Sequence, residues 1–130
     1  MLEVYPIQQK SEQKELCELA GIVYDVNKLA YKGIISGELI GVAQFGIKGK
    51  CGYIYDLENI KGIDNDEVLF VIGRAALNFI DLCGIVDVYF EARSEDREAL
   101  VARIGFKKDE NGKWYMNTDG FFTGPCKCEG

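Results

Sequence analysis

Histidine is absent from this 130-residue chain. Its absence removes the commonest general base and the commonest transition-metal ligand together, so no imidazole triad and no mixed Cys/His zinc site can be assembled. Ordered thiol pairs are also missing. The five cysteines, Cys17, Cys51, Cys83, Cys126 and Cys128, are odd in number and contain no Cys-x-x-Cys, and free thiols are their expected state. No apolar run approaches the ~20 residues that span a bilayer, and residues 1–10 have neither the basic lead nor the apolar core of a signal peptide. Basic residues are outnumbered 15 to 21, for a net charge of −6. That balance repels phosphate backbones and anionic lipid, so neither nucleic acid nor membrane is an expected partner. A cytoplasmic protein is the expectation.

What the chain does contain is ordinary for a folded domain: 48% hydrophobic and 28% charged residues, long enough to bury a core without staples. One domain over 1–130 is expected, with 119–130 a glycine- and cysteine-containing tail. Residues 2–7 alternate weakly and predict a first strand. Ser11 offers an N-cap oxygen for a helix whose apolar stripe is Leu16, Cys17, Leu19 and Ala20, with Gly21 at its end. Residues 22–28 read equally as a short helix or a loop. Strands are predicted over 29–35, 39–47 and 52–58, separated by Ser36-Gly37-Glu38 and Lys48-Gly49-Lys50, the spacing of an antiparallel meander. Residues 66–83 carry a broad helical apolar face that Asp64, Asn65 or Asp66 could cap and Gly84 ends. Residues 85–92 predict a strand, and Ser94 a cap for a short helix through Arg103. Asn111-Gly112 marks a closing hairpin. This order predicts an α/β (α+β) fold: a mixed, mainly antiparallel sheet with helices on both faces and one right-handed crossover.

Particular residues sharpen that reading. Gly37-Glu38-Leu39-Ile40-Gly41-Val42-Ala43 is similar to the turn joining the second and third strands of the GNAT N-acetyltransferase superfamily. Leu82-Cys83-Gly84-Ile85 resembles the end of that family's long third helix. Glu98-Ala99-Leu100-Val101-Ala102-Arg103-Ile104-Gly105-Phe106 resembles its last helix, and Met116 sits where the last strand often carries methionine. The resemblance covers most of the chain and implies a GNAT-like single domain. It also implies acetyl-CoA or another acyl-CoA as cofactor, bound between splayed strands 52–58 and 86–92, and a small-molecule or protein amine as acyl acceptor.

In that family the pyrophosphate rests on backbone amides at the start of the long helix, in a loop reading Arg/Gln-x-x-Gly-x-Gly/Ala, where orphan N–H groups and the dipole attract an anion. Counting back from Gly84 puts Asp64-Asn65-Asp66-Glu67-Val68-Leu69 there, with neither glycine and three carboxylates. Lys61-Gly62, just upstream, serves if the loop is remodelled; Gly73-Arg74-Ala75 mimics the motif but leaves too short a helix. Valine at Val101 stands where the family often has a proton-donating tyrosine, and Ser94 where it has an asparagine. The cofactor-binding residues implied are Leu57, Lys61, Gly62, Asn65 and Ser94.

Direct transfer needs a base for the amine. Glu58, at the end of the fourth strand, and Asp56 are the catalytic candidates, with Glu91 nearby. Tyr53, Tyr55 and Tyr89 line the expected cleft, against the plainer reading that strand aromatics only pack. A catalytically silent GNAT-like module binding a small ligand or a protein is the alternative. Cys126 and Cys128 could clip a soft metal or form a redox pair, but a four-ligand site would have to recruit Cys17, Cys51 or Cys83, and no metal site is expected.

Overall fold

Two glycine turns organise the centre of the molecule. Strands β2 (Leu29–Ile35), β3 (Glu38–Lys48) and β4 (Cys51–Asn59) form the expected meander. Ser36 and Gly37 between β2 and β3 both have positive φ, +50° and +84°, as a two-residue hairpin with right-handed strand twist requires. The computed structural model describes residues 1–119. β1 (Leu2–Pro6) adds antiparallel to β2. On the other side β5 (Asp87–Phe90) lies parallel to β4, followed by β7 (Trp114–Asn117) and the short β6 (Lys107–Lys108), both antiparallel. The seven-stranded sheet runs β1-β2-β3-β4-β5-β7-β6.

The parallel step from β4 to β5 needs a crossover, and helix α2 (Asp66–Leu82) makes it. Its buried face, Val68, Leu69, Ile72, Ala76, Leu77 and Ile80, packs on Ala43, Phe45, Ile54, Leu57 and Val88 of the sheet. Helix and sheet come so close that a Cβ on Gly52 would lie 2.6 Å from Ile80 Cγ2, and one on Gly33 2.6 Å from Val68 Cγ1. Helix α3 (Glu98–Ile104) joins the same layer through Leu100, Val101 and Ile104. Helix α1 (Lys10–Ala20) covers the opposite face, where Leu16 and Ala20 meet Ile7, Ala30 and Val42.

Several boundaries differ from expectation. Residues 22–28, read as either a short helix or a loop, do not: they hold irregular chain and a turn, the loop alternative. Gln9 occupies the N-cap of α1 and makes no side-chain cap bond, so Ser11 lies inside the helix. Ser94 does not cap α3 either: Arg97 is the N-cap residue, and the Ser94 carbonyl accepts the Arg97 N–H at 3.0 Å in the preceding turn. β5 is shorter than 85–92, because Ile85 and Val86 are held by Thr118, whose hydroxyl donates to the Ile85 carbonyl and whose N–H donates to that of Val86. Of the tail expected over 119–130, only Asp119 is described; Phe121, Phe122, Cys126 and Cys128 lie outside the described residues.

Candidate functional site at the mouth between β4 and β5

The parallel pairing of β4 and β5 stops early. Register runs from Cys51–Asp87 to Ile54–Phe90, one further bond joins the Glu91 N–H to the Ile54 carbonyl at 2.8 Å, and β4 then continues alone to Asn59. A bulge beside Gln44 and Phe45 of β3 marks the same level of the sheet. The two strands therefore diverge beyond Tyr55 and Glu91, leaving a wedge whose β4 side carries Tyr55, Asp56, Leu57 and Glu58.

Arginines from the segment after β5 close part of that wedge. The Arg97 guanidinium donates to the Leu57 carbonyl at 2.8 Å and to Glu58 Oε1 at 2.7 Å. Arg93 donates to Glu58 Oε2 at 3.3 Å and to Asp96 at 3.0 Å. Both oxygens of Glu58 are thus engaged, and the Glu58 and Arg97 side chains are only 16% and 15% exposed.

Asp56 belongs to a different assembly. Gln44, fully buried, donates to Asp56 Oδ2 at 2.8 Å and to the Val23 carbonyl at 2.8 Å, while its Oε1 accepts from buried Gln13 at 2.8 Å and from the Asp25 N–H at 3.1 Å. Gln13 also donates to the carbonyls of Asp25 and Lys28. These two amides tie α1, the 23–28 turn and β4 together, because buried polar groups cost stability unless partnered. Lys28 Nζ completes the group, 3.8 Å from Asp56 Oδ2 and 4.3 Å from the centre of the Tyr55 ring.

Tyr55 begins an aromatic row on the face of the sheet opposite α2. Tyr53 and Tyr55 stack with centroids 5.5 Å apart, Tyr53 and Tyr89 at 5.9 Å, and Tyr89 meets Tyr115 at 5.3 Å. All four are half-buried. Partial burial raises the Tyr55 hydroxyl above its ordinary pKa, and the charges of Glu91 and Asp25 raise it further. Tyr53 is raised first by burial, then by Cys51 and Glu91. Glu91 is exposed, and its carboxylate has no ion-pair partner among the described residues.

The start of α2 lies at the far end of β4. Asn65 is its N-cap, with Oδ1 accepting the Val68 N–H at 3.1 Å. Asn59 fastens the connecting loop by accepting the Asn65 N–H at 3.1 Å and donating to the Asn65 carbonyl at 3.2 Å. Glu67 is drawn to Arg103 at 2.7 Å, and that hydrogen bond holds its carboxyl below the usual range. Asp64 and Asp66 remain exposed. Gly62 has φ +89° with open space around it, but the Lys61 chain runs over Gly21 at the end of α1. The sequence-predicted residues therefore fall into three groups: Glu58 and Leu57 under the arginines, Asp56 with Tyr55, Tyr53, Tyr89 and Glu91 along the aromatic face, and Asn65 at α2. Ser94 lies in the turn that brings Arg97 to β4. Sequence reasoning missed Arg93, Arg97, Gln13 and Gln44; the only available signal was two amides at positions otherwise patterned as core.

A seven-stranded mixed sheet with a single parallel pair that splays, a crossover helix between its members, and helices on both faces defines the GNAT acetyltransferase fold. Solved structures agree. The chain superposes on an IAA acetyltransferase from Bacillus cereus with a TM-score of 0.69 at 18% identity, over 85% of this chain and 79% of that one. A Bacillus subtilis acetyltransferase solved in complex with CoA gives 0.69 at 15% identity, over 90% and 99%. The ribosomal-protein-S18-alanine N-acetyltransferase from Escherichia coli gives 0.64 at 9%, over 88% and 89%. No family model and no curated protein sequence matches the chain.

Proposed function

We propose that this GNAT-fold protein is an acyl-CoA-dependent N-acyltransferase acting on an amine. The single observation that carries the reading is the divergence of β4 from β5 after Ile54 and Glu91, which opens a strand edge beside a carboxylate with no ion-pair partner among the described residues. The likeness to acetyltransferases, among them one solved with CoA, supports it. When bound, an acyl-CoA supplies an acyl group activated as a thioester; transfer forms a C–N bond as the C–S bond breaks, one ammonium proton passing to a base and another to the departing thiolate.

The residues divide that work unevenly. Glu91, exposed at the mouth and without an ion-pair partner among the described residues, is the better-placed base; Glu58 already holds two guanidiniums. The wedge fits an extended arm, since β4 has backbone groups there that β5 does not pair, but Arg97 occupies the Leu57 carbonyl and has to yield. At α2 the exposed Asp64 and Asp66 oppose a phosphate dianion, and the guanidinium that stands there, Arg103, is already bound to Glu67.

Isothermal titration with acetyl-CoA tests the reading, joined by mass-spectrometric detection of acylated amine. Micromolar binding, with turnover reduced about 100-fold or more by Glu91→Gln at unchanged acetyl-CoA affinity, is the expected result. A second reading is favoured by the Arg97–Leu57 contact and the acidic helix start: a silent module on the same fold, binding a small ligand or protein. Absence of acyl-CoA binding in both the native chain and Arg97→Ala would select it.

A further inference from the structure

The 23–28 turn and the β3–β4 hairpin enclose a hollow of about 410 Å³, lined by Asp25, Asn27, Lys28, Lys48 and Tyr55 among others. At its edge the chain already displays one bound cation, its own. Lys28 Nζ rests 4.3 Å from the Tyr55 ring centre and 3.8 Å from Asp56 Oδ2, the combination of aromatic face and carboxylate that recognises an ammonium. The position is built from below. Fully buried Gln44 orients Asp56, and Gln13 with Lys10 holds the Lys28 carbonyl at 3.2 and 2.7 Å. From Tyr55 the nearly parallel rings of Tyr53 and Tyr89 extend the surface, with interplanar angles of 17° and 23°, and Glu91 stands where the register carries on past Phe90 opposite Tyr55. Burial first raises the hydroxyls of Tyr53 and Tyr55, and the charge of Glu91 adds to both.

We propose that this face, Asp56 and Glu91 flanking the rings of Tyr55, Tyr53 and Tyr89, is a binding site for a primary alkylammonium, and that Lys28 holds the cation position until such a ligand displaces it. The proposal rests on the acyltransferase reading in one respect: it makes the alkylammonium the acyl acceptor. Chain length and charge follow from the stand-in, an unbranched four-carbon stem carrying a primary ammonium. Stacked rings accept the methylenes, and Asp56, beside Tyr55 with Glu91 across from that ring, accepts the charge.

Titration of the full chain with pentylammonium chloride, without any acyl-CoA, is the test. Saturable binding is expected for the native chain. Lys28→Met should tighten it roughly tenfold, if the internal ammonium fills the position about nine-tenths of the time. Tyr53→Leu should weaken binding, and neutral 1-pentanol should not compete. No binding to Lys28→Met, equal affinity of native and Lys28→Met, or competition by pentanol overturns the proposal. Should Lys28→Met fail to fold, tyrosine ring resonances of the native chain decide: shifts must fall on Tyr53, Tyr55 and Tyr89, and shifts only elsewhere overturn it. Amine binding by a chain that ignores acetyl-CoA would sink the acyltransferase reading and leave this site standing; acetyl-CoA binding without amine binding would do the reverse.

Discussion

Arg97 has the largest reach of any single side chain at the splayed strands. It joins the α3 N-cap to the backbone and side chain of β4, across 40 and 39 positions of sequence. Arg97→Ala removes two hydrogen bonds and leaves Glu58 with Arg93 alone. The expected cost is about 1–3 kcal/mol in urea denaturation, accompanied by tighter acetyl-CoA binding than in the native chain. Lower stability with weaker binding would assign the arginine to the ligand instead. At Gly52 the constraint is steric: a Cβ 2.6 Å from Ile80 Cγ2 must push a packed helix off its sheet. Gly52→Ala should destabilise by about 1–3 kcal/mol, read as a lower urea midpoint at constant slope. Tyr115 donates to Asp87 at 2.5 Å, which together with partial burial lifts its hydroxyl from 10.0 to about 12. Because the folded value is raised, its contribution is complete below pH 10 and is lost as pH climbs through about 12. Absorbance at 295 nm should show one tyrosine ionising after the others, and Asp87→Asn should bring it back toward them.

At the scale of elements, the outcome depended on how local each signal is. Helix α2 was readable nearly to the residue, because its apolar face repeats over many turns and Asn65 is a true N-cap with its Oδ1 on the Val68 N–H. Asn65→Ala should cost about 1 kcal/mol, and a change much below that would mean that Asn59 alone keeps the loop in place. The meander was legible for a similar reason: Ser36-Gly37 and Gly49 supply the positive φ that short hairpins demand. The ends of α1 and α3 were not. Ser11 and Ser94 have the right chemistry for caps, but Gln9 and Arg97 stand at those positions and neither side chain caps its helix. The tight turn from Ser94 to Arg97 brings a guanidinium to β4, and that long-range contact, invisible to a local pattern, accompanies a helix start without a cap. Likewise, the arrangement of Gln13, Gln44 and Asp56 depends on α1 lying over β3, and no spacing within either element announces it.

For the molecule as a whole, the net charge of −6 works against an anionic ligand wherever that ligand binds. Acetyl-CoA affinity should therefore improve as salt is raised from about 10 mM to 150 mM, where screening over ~8 Å damps the repulsion from remote acids. Affinity falling over that range would show that nearby guanidiniums dominate. Alkylammonium affinity should move the other way, falling with salt.

The sheet's two borders have a further consequence, for what many copies of the chain do in one solution. One border strand, β1, ends in Pro6, which has no N–H to offer, and the other, β6, is two residues long and consists of Lys107 and Lys108. Short, charged or proline-ended borders give an approaching strand little to pair with. Despite its seven strands, the sheet is thus a poor seed for fibrils, and lengthening or neutralising β6 is the change most apt to make it one.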